Sequence, residues 1–188
     1  MSNAFKPVSY TALANVSSVT TTSASTGAFA PTSHASVLRI YSSVDAFVNI
    51  QSQAAAVVAD VNNLVVVANQ PSHVKVDTVR GEIASIDDPG SGSTTIVLAE
   101  PDNGTAHSFE VGDLIVIENT SGYNSYAVSG GALPTVTAVT NSSAFTIASS
   151  GSDVAAETSG TVRKAYRMGI ESVAGTGKAS VHEVTLQG

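Results

Sequence analysis

Two short segments of alternating character dominate the chain: Ser36-Val37-Leu38-Arg39-Ile40-Tyr41-Ser42 and Asp45-Ala46-Phe47-Val48-Asn49-Ile50-Gln51. In the first, Val37, Arg39 and Tyr41 fall on one side and Leu38 and Ile40 on the other, the period-two pattern of a half-buried antiparallel strand. With only Ser43-Val44 between them, the pair is expected to form a hairpin. A chain that announces itself this way is built from strands, and a β-built surface or assembly module is expected rather than an enzyme.

The remaining punctuation extends that reading. Leu64 to Ala68 and His73-Val74-Lys75-Val76 are expected to pair around Asn69-Gln70-Pro71-Ser72, and Ala54 to Val61 is read as a loop or irregular edge, since its Val residues follow no 3.6-residue stripe. Strands are then predicted at Arg80 to Ile86, Thr94 to Ala99, Val111 to Glu118, Thr135 to Thr140, Ala144 to Ala148, Val162 to Met168 and Ala179 to Leu186. They are separated by turn-rich stretches such as Asp87-Asp88-Pro89-Gly90-Ser91-Gly92-Ser93 and Pro101-Asp102-Asn103-Gly104. Turn signals at this frequency, with no helical pattern between them, predict an all-β chain. The expected architecture is a jelly-roll-like antiparallel β-sandwich made by residues 1–77 and 166–188, with a small β-barrel or sandwich, residues 78–165, inserted into it. Chain ends that lie close together and exposed turns that accept insertions make this arrangement easy. Two tandem domains are the alternative.

The chemistry on offer is sparse. Charged residues make up 12% of the 188 positions, against roughly 25% in ordinary soluble domains, and Ser, Thr, Asn and Gly stand in their place. The net charge of −7 repels phosphate, and the densest basic stretch, Arg163-Lys164 with Arg167, reads as a solvated strand edge; nucleic acid is not an expected partner. Cysteine is absent, which removes disulfides and thiolate metal sites. The apolar runs Ala54 to Ala59 and Leu64 to Ala68 are too short to span a bilayer, and the first residues lack a signal-peptide core, so membrane entry is not expected and synthesis in a cytoplasm is.

Four features invite catalytic or ligand-binding readings. Gly175-Thr176-Gly177-Lys178-Ala179-Ser180 lacks the glycine of a phosphate loop, because Ser172 holds that position, and Ala179 replaces the magnesium-binding hydroxyl; a glycine turn is the better reading. His34, His73, His107 and His182 are scattered singly and are read as exposed or edge histidines, with His182 and Glu183 on opposite faces of one strand. Asp87-Asp88 and Asp102-Asn103 match turn chemistry better than a calcium loop. No catalytic, metal-ligating or cofactor-binding residue is assigned, and no cofactor is expected. Tyr123 and Tyr126, beside glycines, are candidates for stacking on a sugar or for a protein interface.

Residues 1–30, rich in Ser, Thr and Ala, are expected to form an extended arm or edge strand that adds to a neighbour's sheet through main-chain pairing. Val16, Val19 and Phe29 are its candidate contact residues.

In order along the chain, residues 36–42, Ala46-Phe47-Val48-Asn49-Ile50, Asp60, Leu64, His73-Val74-Lys75-Val76, Ile170-Glu171-Ser172-Val173 and the stretch from Gly175 to Val184 resemble small β-sandwich structural proteins of tailed-phage virions. Val111 to Ile117, Val136 to Thr140 and Ala144-Phe145-Thr146-Ile147 are similar to a small β-module common in phage head and tail proteins. The resemblance implies a head decoration or capsid cement protein on the outer capsid surface. Its implied partner is the major capsid protein, and its implied state a homo-oligomer, with a trimer favoured. The long insertion departs from the compact members of that group. A tail or connector component is the second reading, and a carbohydrate-binding module or hydrolase using Tyr123, Tyr126 and loop carboxylates is the third, from a different class.

Overall fold

The computed structural model describes residues 8–31, 37–77, 79–99, 107–120, 133–148 and 153–186. It is all-β, and it divides into two compact units, one made of residues 1–51, 56–78 and 167–188 and the other of residues 52–55 and 79–166.

The first unit holds eight strands: β1 (Val8–Val19), β2 (Ala24–Ser25), β3 (Val37–Ser42), β4 (Ala46–Gln51), β5 (Leu64–Val66), β6 (Ser72–Lys75), β14 (Arg167–Ser172) and β15 (Gly177–Leu186). They form two four-stranded antiparallel sheets ordered β1-β15-β3-β6 and β2-β14-β4-β5. Numbered within the unit alone, these are the orders first-eighth-third-sixth and second-seventh-fourth-fifth, which is the two-Greek-key jelly roll. Leu38, Ile40, Ala46, Val48, Met168, Ile170, Ala179 and Val181 are all buried, alternating with more exposed neighbours along β3 and β15.

This topology overturns two of the expected pairings. The segments around Ser43-Val44 are both strands, but they do not pair: β3 runs against β15 and β6, and β4 against β14 and β5. The same holds for Leu64–Val66 and Ser72–Lys75, which lie in different sheets. Each short connection is an arch from one sheet to the other, and hydrogen bonds run from arch to arch. The Ser43 amide donates to the Lys178 carbonyl (2.9 Å), the Asn69 amide to the Ser42 carbonyl (2.8 Å), and the Val173 amide to the Asp45 carbonyl (2.8 Å). Ser42, fully buried, donates its hydroxyl to the Val44 carbonyl at 2.7 Å, which turns the chain out of the first sheet. A two-residue hairpin needs primed-turn residues such as Asn-Gly; Ser43-Val44 supplies none.

Of the two expected forms of the N-terminal stretch, an arm or an edge strand, residues 8–19 take the edge strand. Residues 8–19 pair along their length with β15 of the same chain, from Val8 opposite Leu186 to Val19 opposite Gly177. They make the outermost strand of the chain's own sheet, because the alternating Val and Tyr residues find a ready partner in the alternating final strand.

The second unit holds β7 (Arg80–Pro89), β8 (Ser93–Leu98), β9 (Ile115–Glu118), β10 (Val136–Asn141), β11 (Ala144–Ala148), β12 (Asp153–Glu157) and β13 (Thr161–Lys164). The path β10-β11-β8-β7-β13-β9 curls until its ends meet, through an antiparallel bridge between Leu114 and Thr135 and bonds from the Val136 amide to the Asp113 carbonyl and the Ile115 amide to the Pro134 carbonyl. β12 pairs with the far half of β7. Ile83, Ile86, Ile96, Leu98, Phe109, Ile115, Ile117, Phe145, Ile147 and Val162 fill the interior. Here strands adjacent in sequence do pair, β7 with β8 and β10 with β11, as antiparallel hairpins. The predicted strand Val162 to Met168 is two strands, β13 and β14, one in each unit.

Candidate interaction surface

Large exposed apolar side chains concentrate in one place. Val58 (65% exposed), Val61 (72%), Leu64, Val65 and Val67 all fall within ten residues that lead into and out of β5, the outermost strand of the second sheet. The segment is held firmly. The Val57 amide donates to Ser25 Oγ (3.1 Å), the Ala59 amide to Ser23 Oγ (2.8 Å), and Asn49 Nδ2 to the Val58 carbonyl (2.9 Å). Val57 and Ala59 are buried on either side of exposed Val58, and Gly169 admits their backbone. Asp60 and Asn63 then close a tight turn, each side chain accepting a backbone amide at 2.8 Å, and this turn presents Val61. Exposed apolar surface on a fixed backbone, beside an unpaired strand edge, is the usual form of a protein-docking site. The sequence predicts a loop or irregular edge over Ala54 to Val61 and a strand over Leu64 to Ala68, without marking Val58, Val61, Leu64, Val65 or Val67 as contacts. The signal was the run of Val residues without a helical or strand period.

β1 forms a second open edge. It is twelve residues long, carries no charged residue and no proline, and no described strand pairs with its outer side. Its register shifts between Ala12 and Ala14 and between Val16 and Val19 are the one edge-blunting device it has. Of the residues expected to make contacts, Val16 is half-buried on this strand, whereas Val19 and Phe29 are 0% and 1% exposed within their own chain. The latter two therefore serve the interior of the jelly-roll unit. Tyr123 and Tyr126 lie outside the described residues.

The outer face of the first sheet has a different character. Lys178, Ser180, His182 and Val184 of β15 alternate with buried Ala179, Val181 and Glu183. Across the sheet, Ala12, His182, Arg39 and His73 stand in one row, and Tyr10, Val184, Val37 and Lys75 in the next. Arg39 lies over the Tyr10 ring, 4.8 Å from its centroid. His182 accepts or donates a hydrogen bond at Nε2 with Ser180 Oγ (2.9 Å), and burial together with the Arg39 charge lowers its pKa below the ordinary 6.5.

Elsewhere several ionisable groups are tied into the fold. In the second unit Lys164 pairs with Asp113 (2.7 Å) and Arg163 with Glu118 (2.6 Å), while Asp88 Oδ1 accepts the Gly90 amide in the turn that joins β7 to β8. His107, read as an exposed or edge histidine, is instead half-buried, its ring 5.6 Å from Phe145 and 5.7 Å from Phe109. His34 lies outside the described residues. Gly175 sits at φ 78° in an arch, and the strand β15, not a helix, begins at Gly177. Among the described residues no group of three His, Cys, Asp or Glu side chains is placed to hold a metal ion.

No protein-family model matches the sequence, and no curated protein matches it. Among solved structures, a phage phi92 endosialidase is similar over 61% of this chain and 15% of its own length, at 22% identity and a TM-score of 0.30. The stretch compared is thus a small part of that longer protein.

Proposed function

We propose that the chain is a structural component of a tailed-phage particle, a decoration protein on the outer capsid surface that binds the major capsid protein and works as a homo-oligomer, with a trimer favoured, and without catalysis. The observation that carries this reading is the rigid apolar edge of Val58, Val61, Leu64, Val65 and Val67. Such a surface is costly to leave in water and is preorganised for a flat partner. The open, uncharged edge of β1 offers main-chain pairing to a neighbour in the same assembly. Repeated over a lattice, contacts that are individually weak gain about a hundredfold or more in avidity. The jelly roll is used by viral shell proteins, and by lectins too, so fold analogy supports the reading without deciding it. The resemblance of the sequence to virion β-sandwich proteins points the same way.

Counting copies in purified particles by quantitative mass spectrometry tests it. Hundreds of copies fit a shell protein. A small number set by the symmetry of the tail would move the protein to the tail or connector, and absence from particles would end the virion reading.

A further inference from the structure

The two units differ sharply in charge. The jelly-roll unit carries five Lys and Arg (Lys6, Arg39, Lys75, Arg167, Lys178) against five Asp and Glu (Asp45, Asp60, Asp77, Glu171, Glu183), a net of zero. The inserted unit carries three Lys and Arg against ten Asp and Glu, so it holds the whole net charge of −7. Its three cations already pair within the unit, Arg80 with Glu82, Arg163 with Glu118 and Lys164 with Asp113. The surplus negative charge is therefore matched by no further Lys or Arg there, and Asp87 and Glu110 lie exposed on it.

The neutral unit is itself polarised. On the outer face of the first sheet stand Arg39, Lys75 and Lys178 with His73 and His182, and no Asp or Glu side chain of the described strands joins them. The sole carboxylate of these four strands, Glu183, points the other way and is fully buried. Among the described residues none of the three cations makes an ion pair. Arg39 and Lys75 stand on a diagonal across β3 and β6, where like charges repel weakly, and a chain with so few charged residues had little need to collect them on one face. An anionic partner turns that repulsion into attraction.

We propose that the cationic outer face of the first sheet, centred on Arg39 and Lys75, docks against the acidic inserted unit of a second copy of this chain. The contact joins two different surfaces, so repetition closes a ring or extends a row. A trimer requires contacts of this heterologous kind, since a two-fold contact closes at a dimer. The inference deepens the assembly reading and rests on it for its setting, yet its measurement is made on the purified chain. Self-association in a chain that is absent from particles would sink the virion reading and leave this contact standing.

The test is sedimentation velocity of the full-length chain at about 10 mM and about 1 M salt, where the screening length falls from about 30 to about 3 Å. The expected result is a concentration-dependent oligomer at low salt that dissociates at high salt. The doubly substituted Arg39→Ser, Lys75→Ser chain should dissociate at least tenfold more readily while melting at the parent temperature, and Arg80→Ser, which frees Glu82 on the acidic unit, should associate at least as tightly as the parent. Carbodiimide cross-linking of mixed isotope-labelled and unlabelled chains should join Lys75 or Lys178 of one copy to a carboxylate of residues 79–166 in another. A monomer at low salt overturns the proposal, as does an oligomer indifferent to the double substitution or cross-links confined to jelly-roll carboxylates. A monomer that instead binds a duplex oligonucleotide through Arg39 and Lys75 also overturns it and assigns the face to nucleic acid.

Discussion

The carboxylate of Asp45 accepts a hydrogen bond from the amide of Ala68 at 2.7 Å, and the carbonyl of the same Asp45 accepts the amide of Val173 at 2.8 Å. One residue thus ties three arches together: the one between β3 and β4, the one between β5 and β6, and the one between β14 and β15. Removing the side chain in Asp45→Ala frees the Ala68 amide and should lower jelly-roll stability by about 1 kcal/mol, a modest figure because the site is solvated. Asp45→Asn keeps an acceptor in place and should recover most of the loss. Urea unfolding followed by a probe in the first unit checks both, since two units need not unfold together.

Strands were far more legible in this sequence than their partners. The alternation of Val37 to Ser42 and Ala46 to Gln51 reports that each has one buried face, and both are strands with that face buried. Alternation is silent on which neighbour completes the sheet, and proximity in sequence suggested the wrong one. What decides the matter is the arch itself, where buried Ser42 bonds to Val44 and the chain leaves one sheet for the other. In the second unit the turns carry real hairpin chemistry, with Gly90 and Gly92 at φ 75° and 76° and Asn141 accepting the Ser143 amide, and there the sequence neighbours do pair. The interaction surface was the least legible part. Its residues are exposed against their own polarity, and exposure of Val61 or Val65 follows from the pinning of Val57 and Ala59 by serines more than thirty positions away.

Lys164 and Asp113 meet where the curled sheet closes, with side chains only 13% and 8% exposed. Asp113 Oδ2 also accepts the Glu110 amide at 2.8 Å, and the Asp113 carbonyl receives Val136 of β10. Asp113→Ala leaves an ammonium without its partner at a nearly dry site and should cost about 3 kcal/mol in the inserted unit. The double change Asp113→Leu, Lys164→Met removes both charges and should cost less than the single one. Denaturant titrations of the three variants measure the difference; equal losses in the single and double variants would show that the pair contributes nothing beyond packing.

Gly169 of β14 leaves room for the backbone of the pinned segment. A Cβ at this position would meet the Val57 carbonyl, 2.8 Å from its carbon, and would lie 3.0 Å from the Ala59 nitrogen. These are backbone atoms, so relief requires the segment to move. Gly169→Ala should therefore destabilise the jelly-roll unit by about 1–3 kcal/mol and loosen residues 57–59. Hydrogen exchange at the Val57 and Ala59 amides, which donate to Ser25 and Ser23, should accelerate more than exchange in β3.

His182 gives the jelly-roll unit a pH dependence of definite sign. Its folded pKa lies below 6.5 through burial and the facing Arg39; Glu183 points to the opposite face, and the neighbouring β1 residues carry no charge. Between the folded and unfolded values the unfolded chain binds the extra proton, so stability from this group is complete above about pH 6.5 and declines as the pH falls below it. The decline ends once the pH passes the folded value. His182→Gln should flatten this part of the stability profile between pH 7 and pH 5, whereas His73→Gln, at an exposed position of the edge strand β6, serves as the comparison. A slope that survives His182→Gln would place its origin in other groups.

Val61 and Val65 test whether the apolar edge is a docking surface. Both are more than half exposed, at 72% and 53%, and neither fills the sandwich interior, so Val61→Ser and Val65→Ser should each change stability by no more than about 0.5 kcal/mol. If the edge is covered by a partner in the assembled particle, the double variant should show at least a tenfold fall in particle occupancy while its melting curve matches the parent. Fluorescence of a hydrophobic dye on the isolated chain should fall as well, because two of the five exposed apolar side chains of this edge have been removed. Val66→Ser provides the contrast: Val66, next to Val65 in β5, is fully buried, and its substitution should destabilise the fold and raise dye binding. Unchanged occupancy with the Val61 and Val65 substitutions would show that the edge stands free in the particle, and would shift the burden of assembly to the open side of β1.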